Sequence, residues 1–262
     1  MGTPRGSKGV GMRFENKVAI VTGAGGGIGR ATAQRLASEG ATVVVNDVDD
    51  DRIAGTIAAL AGLAGHGIEG RADVTEEHDV RTLVERVVRD HGGVDILINN
   101  AGGMMPGASW SPVEHCSLVD WNSFLALNLT GPFLMARAVL PSMLARGRGH
   151  IVSVSSISGI HGQVAGSAYA AAKAGLTGLT ASLAKEVAAK GVNVNGIVVG
   201  NAPFPGRDPA RQTVLDSWVH VGRVGLHAEF AAVIAFLCSE DAAYLSGAML
   251  PVDGGFHRFT ML

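Results

Sequence analysis

Cysteine and tyrosine are scarce in this chain of 262 residues, two of each, and lysine occurs only five times. Cys116 and Cys238 lie far apart, which excludes a disulfide framework and reads as a pair of buried thiols in a reducing, cytoplasmic compartment. None of the nine histidines falls in a His-x-x-x-His or Cys/His ligand pattern, so no metal is expected. An excess of one charge is also lacking: the net charge is −2 and Lys and Arg nowhere cluster, which argues against nucleic acid or an anionic membrane surface as a partner. The longest wholly apolar run, residues 230–238, is far short of the ~20 residues a spanning helix needs. Small-molecule partners remain.

The first eleven residues, MGTPRGSKGVG, have no apolar stretch and fit neither a signal peptide nor, with Gly at position 6, a myristoylation pattern. They read as part of a flexible extension over 1–13, with Met12 as a candidate internal start and one folded unit over 14–262. A hydrophobic content of 47% is ample for one core in a chain of this length.

Short β-branched runs alternate with Ala/Leu/Val stretches of helical period. Strands are expected near 18–22, 42–47, 94–99, 150–155 and 192–199, with a weaker one at 67–71 and a last one near 248–252. Helices are expected near 28–39, 76–91, 118–145, 168–190 and 228–239. This alternation predicts an α/β fold, a doubly wound parallel sheet of about seven strands with helices on both faces. The runs at 43–45, 96–98 and 197–199 are continuously apolar, as in strands covered on both sides. Residues 200–226 break the pattern with three prolines and a possible amphipathic helix carrying Val214, Leu215, Trp218 and Val219. An insertion at a strand's carboxyl end suits a substrate lid, or else a structural excursion or subunit contact.

Residues 22–29, TGAGGGIG, join the first strand to the first helix. Glycines there let the backbone approach a pyrophosphate, whose charge the helix N-terminus favours. Asp47 ends the second strand, where a carboxylate accepts hydrogen bonds from both adenosine ribose hydroxyls and repels a 2′-phosphate, so NAD is favoured over NADP. Asp73 and Val74 follow the third strand; Asp73 suits either the adenine amino group or the cap of the next helix. Asn100, Ala101 and Gly102 follow the fourth strand, as a close backbone approach to the cofactor or as turn chemistry alone.

One of the two tyrosines, Tyr169, has Lys173 four residues on, on the same helix face, where an ammonium favours the ionised phenol. Ser156, at the end of the fifth strand, can hold a substrate oxygen beside that phenol; its neighbour Ser155 must face the other way. Asn128, a poor helix former inside a helical stretch, calls for a structural hydrogen bond or a role in proton relay. Met104, Met105, Pro106, Trp110, Phe204 and Trp218 suit an apolar pocket for a ring or medium chain, or ordinary packing under a loop.

Taken together these motifs resemble the short-chain dehydrogenase/reductase family in its compact form. Its Thr-Gly-x-x-x-Gly-x-Gly is met by Thr22, Gly23, Gly27, Ile28 and Gly29, its Asn-Asn-Ala-Gly by 99–102, and its tetrad by Asn128, Ser156, Tyr169 and Lys173. The C-terminal half fits at 222–225, 236–237, 244–247 and 252–255. The resemblance implies hydride transfer between a nicotinamide and a secondary alcohol or ketone. Tyr169 would exchange the proton, Lys173 would contact the nicotinamide ribose, Ser156 would orient the substrate and Asn128 would hold a relay water. Val199, Gly200 and Ala202 would line the nicotinamide end, and the assembly would be a homotetramer. The family's Pro-Gly-x-x-x-Thr is absent here, where residues 199–204 read Val-Gly-Asn-Ala-Pro-Phe and Phe204 offers no hydroxyl. A 3-oxoacyl-thioester reductase is the alternative, with Arg207 and Arg211 placed to meet an anionic carrier; a non-catalytic nucleotide-binding protein is the remote one.

Overall fold

Seven parallel strands form one sheet in the computed structural model, which describes residues 12–203 and 208–256. In chain order the strands are β1 (Val18–Thr22), β2 (Thr42–Asn46), β3 (His66–Glu69), β4 (Ile96–Asn99), β5 (Gly149–Ser156), β6 (Val192–Val199) and β7 (Met249–Val252). The helices are α1 (Gly27–Ser38), α2 (Asp50–Ala59), α3 (Glu77–His91), α4 (Leu118–Leu125), α5 (Gly131–Arg146), α6 (Ser158–His161), α7 (Ser167–Val187), α8 (Pro209–Ser217) and α9 (His227–Leu237). The spatial order is β3-β2-β1-β4-β5-β6-β7, so the winding reverses between β1 and β4. Crossover helices leave those two strands toward opposite faces, which opens a crevice at their carboxyl ends.

Alternate residues of each central strand feed different cores. Ala19, Val21, Val43, Val45, Ile96 and Ile98 pack under α1, α2 and α9. Ile20, Val44 and Leu97 point the other way, toward α3, α5 and α7. Both sets are fully buried, which explains why these strands read as continuous apolar runs; each such side chain contributes roughly 1.5–3 kcal/mol. Residues 118–146 are helical throughout and apolar enough by length to cross a membrane, but Met135, Val139 and Met143 of this stretch are sheet-packed core.

The expected elements are present, with differences of detail. The helix α2 is an addition: Asp49 caps it by accepting the Arg52 N–H at 3.1 Å, and Ile53 and Leu60 are its buried face. The helix expected at 118–145 is interrupted by a π turn at Ala126–Thr130, in which Gly131 N–H reaches back to the Ala126 carbonyl. The proposed extension over 1–13 falls mostly outside the described residues, yet Arg13 pairs with Glu39 and Phe14 is buried in the core. Cys238 is buried as expected, whereas Cys116 is half-buried; both thiols are free.

Two polar clusters fix the sheet's central strands at opposite ends. At the amino end, Asp95 is buried, accepts the Val18 N–H at 3.0 Å and pairs with Arg146 at 2.8 Å. At the carboxyl end, the Thr22 hydroxyl donates to the Ile98 carbonyl (3.1 Å) and accepts from Asn100 N–H and Ala101 N–H, both at 2.9 Å. The near-isosteric Thr22→Val keeps strand propensity but strands the Ala101 N–H, while Asn100 N–H keeps its bond to the Ile98 carbonyl at 3.1 Å. Chemical denaturation is expected to show a loss of about 1–3 kcal/mol, mostly recovered in Thr22→Ser.

Candidate active site

The glycine turn is shaped by close approach. Gly23 has φ 61°, and a Cβ there would lie 2.9 Å from Ala101 Cα; at Gly29 it would meet the Gly23 carbonyl at 2.2 Å. Asn100 locks the same corner by donating from Nδ2 to the carbonyls of Thr22 (2.8 Å) and Gly23 (3.2 Å). Gly26 is the N-cap of α1 and provides no side-chain cap, and nothing lies within 4 Å of where its Cβ would stand. Free N–H groups of Gly27 and Ile28 at a helix N-terminus thus face open space, the arrangement that holds a phosphate.

Asp47 stands at the end of β2 beside this turn. Its carboxylate accepts from Gly25 N–H (3.0 Å) and Val48 N–H (2.9 Å), and a Cβ at Gly25 would sit 2.5 Å from Oδ2. Nearby cations are already engaged: Arg30 with the Gly25 carbonyl and Thr56, Arg52 with Asp49, Arg71 with Asp50. Asp73 does not cap α3, whose N-cap Glu76 makes no side-chain bond; it closes a local turn instead, accepting from both N–H and hydroxyl of Thr75 through Oδ1 at 2.8 and 2.7 Å. Its neighbour Val74 is buried against the start of α5 at Gly131.

The four tetrad residues converge from β5, α7 and the π turn. Ser156 is close enough to the Tyr169 phenol to favour its ionised form, and its Oγ lies 3.3 Å from Ser158 Oγ. Ser155 faces the other way, donating to the Lys173 carbonyl at 3.0 Å and so fixing α7 against β5. Lys173 is buried; its Nζ donates to the Val154 carbonyl at 2.9 Å and lies 5.7 Å from the Tyr169 ring centre. Burial pushes the Lys173 ammonium down to about 8. Burial likewise raises the Tyr169 phenol above its ordinary 10, with the Ser156 hydrogen bond opposing that rise.

Asn128 is wholly buried and its side chain is committed to scaffolding. Oδ1 accepts the Gly103 N–H at 2.8 Å, while Nδ2 donates to the carbonyls of Gly103 (2.8 Å) and Phe124 (3.0 Å). Four residues on, Pro132 has no N–H to give the Asn128 main-chain carbonyl in ordinary helical register. Gly102 passes so close that a Cβ would lie 2.8 Å from Asn128 Oδ1 and 2.9 Å from Lys173 Nζ. A side chain at that position would fill the gap between glycine turn and tetrad.

On the far side, Gly200 runs against Asp253, where a Cβ would be 2.6 Å from Asp253 Cα, and the Val199 carbonyl accepts the Ile157 N–H. Ala202 packs on the core. Asn201 Nδ2 is buried and has no acceptor among the described residues. The uncapped α1 terminus, the Cβ-excluding glycines, the Asp47 carboxylate and this orphan donor fit an elongated dinucleotide lying along the crevice. Phe204 and Arg207 lie outside the described residues, as does the side chain of Arg211.

Aromatic rings wall the phenol. Trp110 stands edge-on to Tyr169 (centroids 5.4 Å) and tilted on Phe124 (4.9 Å), and remains 41% exposed. Met104 is exposed, and Trp218, just after α8, lies 6.5 Å from Phe256. Phe124 and Gln163, which bonds Ser158 at 2.9 Å, were not legible as site residues because neither belongs to a local motif. Among the described residues no group of three or more His, Cys, Asp or Glu is placed to hold a metal.

Comparison with known proteins gives the family. The short chain dehydrogenase family matches residues 17–212. Cis-4-hydroxycyclohexanecarboxylate dehydrogenase of Sinomonas cyclohexanicum is 40% identical, with 94% of this chain and 99% of that protein aligned. The 3-oxoacyl-[acyl-carrier-protein] reductase FabG of Thermotoga maritima is 37% identical, covering 93% and 99%. Cyclohexanol dehydrogenase of an Acinetobacter strain is 35% identical, covering 93% and 96%. A crystal structure of NAD+-bound xylitol dehydrogenase superposes with a TM-score of 0.87 at 32% identity, over 93% of this chain and all of that one. With a family match over most of its length and relatives of this kind, the chain belongs to the short-chain dehydrogenase/reductase family of oxidoreductases.

Proposed function

We propose that this protein is an NAD(H)-dependent oxidoreductase that interconverts a compact secondary alcohol, a cyclic one foremost, and its ketone. The observation that carries the reading is the convergence of Ser156, Tyr169 and Lys173 beside a glycine turn whose ribose end meets the Asp47 carboxylate. In alcohol oxidation Ser156 and Tyr169 hold the substrate oxygen, and Tyr169 as phenolate takes its proton. Lys173 stabilises that phenolate through charge. The Val154 carbonyl holds the ammonium, and Gly102, where a Cβ would lie 2.9 Å from Nζ, leaves it room. When bound, the dinucleotide supplies the acceptor for the hydride leaving the carbinol carbon, so that the carbonyl forms as the O–H and C–H bonds break.

Asp47 supports NAD over NADP because a 2′-phosphate would face a carboxylate while the neighbouring arginines are already paired. The exposed side of Trp110 beside the phenol supports an alicyclic carbon skeleton, the chemistry named for two of the relatives. Residues 200–226, with Trp218 toward Phe256, are read as the lid over this pocket. Leu118 and Val119 are largely exposed on α4, which supports a homo-oligomer, a tetramer by family resemblance. The FabG relatives favour a second reading, a 3-oxoacyl-thioester reductase working with NADPH.

A panel of cyclic and linear secondary alcohols assayed with NAD+ and NADP+ separates the two. Cyclohexanol-type substrates are expected to turn over with at least about tenfold preference for NAD+; a preference for NADPH with 3-oxoacyl thioesters would establish the second reading instead. Tyr169→Phe is expected to bind NAD+ normally while kcat falls about 10²–10⁴-fold, and normal turnover in that variant would remove the phenol from the chemistry. Trp110→Ala should raise KM for cyclic alcohols and leave the NAD+ Kd unchanged.

Lys173 also makes a prediction about stability. A lysine held at about 8 when folded binds fewer protons than the unfolded chain between pH 8 and 10.5, so stability must rise with pH across that window. Denaturation at pH 7.5 and 9.5 is expected to show a gain of about 2 kcal/mol in the cofactor-free protein relative to Lys173→Met, which lacks this term.

A further inference from the structure

The glycine turn and the segment after β6 approach the same crevice from two sides, and one side chain spans them. His227 is the first residue of α9 and is half-buried. Its Nε2 lies 3.2 Å from the Pro203 carbonyl, which can only accept, so the ring carries its hydrogen on that nitrogen. The same Nε2 stands 3.8 Å from where a Cβ at Gly27 would be. Gly27 has φ 52° and belongs to the uncapped start of α1, beside the open space over Gly26. Its position along the chain is fixed by a tight anchor: Glu229 accepts the Leu226 N–H and forms a two-bonded pair with Arg223 at 2.7 and 2.8 Å.

We propose that His227 is a cofactor-binding residue: its single N–H, on Nε2, borders the glycine turn and is shared between the Pro203 carbonyl and the dinucleotide's diphosphate, tying the Pro203 segment to that turn. The inference rests on the reading that a dinucleotide occupies the crevice. It also answers a need created by the sequence of this chain, in which residues 199–204 provide no hydroxyl toward the cofactor's far end. A half-buried imidazole reaching both segments ties the Pro203 segment, which leads from β6 toward that end, to the diphosphate. Neither Gly26 nor Gly27 has a side chain of its own to offer a third donor there.

Isothermal titration with NAD+, ADP-ribose and adenosine tests this without turnover. Wild-type protein that binds neither NAD+ nor ADP-ribose would defeat the dinucleotide reading itself. Given wild-type binding, His227→Ala is expected to weaken NAD+ and ADP-ribose about tenfold and leave adenosine unchanged, with His227→Gln, which keeps an N–H donor, recovering most of the loss. Unchanged affinities, or an equal loss for adenosine, would overturn the proposal and leave His227 a structural tie for the Pro203 loop. Should His227→Ala fail to fold, the wild-type imidazole resonances, assigned with His227→Gln, serve instead. They must shift with ADP-ribose and not with adenosine, and an absence of that difference would overturn it equally.

Discussion

One buried hydroxyl holds together the place where the sheet reverses. Thr22 Oγ1 serves β1 and β4 at once, donating to one strand and accepting two N–H groups from the turn that follows it. The ladder between β1 and β4 runs from Ala19 and Ile96 to Val21 and Ile98, and Thr22 continues the connection past its end. With Thr22 in place, Asn100 can reach back to the carbonyls of Thr22 and Gly23, and Ala101 comes within touching distance of the glycine turn. The phosphate cradle and the backbone leading to Gly102 are therefore one rigid corner, and Gly102 in turn spaces Asn128 and Lys173.

The charges around this corner are arranged in two regimes. Asp47 at the rim is half-buried and held by hydrogen bonds from backbone N–H groups. Deeper in, burial works against the charged forms of both Lys173 and Tyr169. Burial thus favours the protonated phenol. A positive charge beside it, such as an oxidised nicotinamide would bring, would work with Lys173 to favour release of the proton.

Much of this was legible in the sequence, where chemistry is local. The apolar runs gave their strands because both faces of the sheet are covered, and Tyr169 with Lys173 was readable from helical spacing alone. Ser155 and Ser156 could not be told apart by type, only by strand alternation, and the structure assigns Ser155 to the Lys173 carbonyl. The helix α2 has a local signal in the Asp49 cap and in the spacing of Ile53, Ile57 and Leu60. The π turn carrying Asn128 had a weaker signal in Pro132, which withholds an N–H. His227 and Phe124 had none: both reach the site through tertiary packing between distant elements, which no local pattern encodes.

The central claim is that a carbinol hydrogen passes directly to a dinucleotide lying between the Thr22 corner and Tyr169. Oxidation of cyclohexanol deuterated at the carbinol carbon, with NAD+ in ordinary water, tests it most directly through mass spectrometry of the reduced dinucleotide. One deuterium per molecule of reduced dinucleotide is the result expected. Recovery of unlabelled reduced dinucleotide, with the deuterium lost to water, would contradict it.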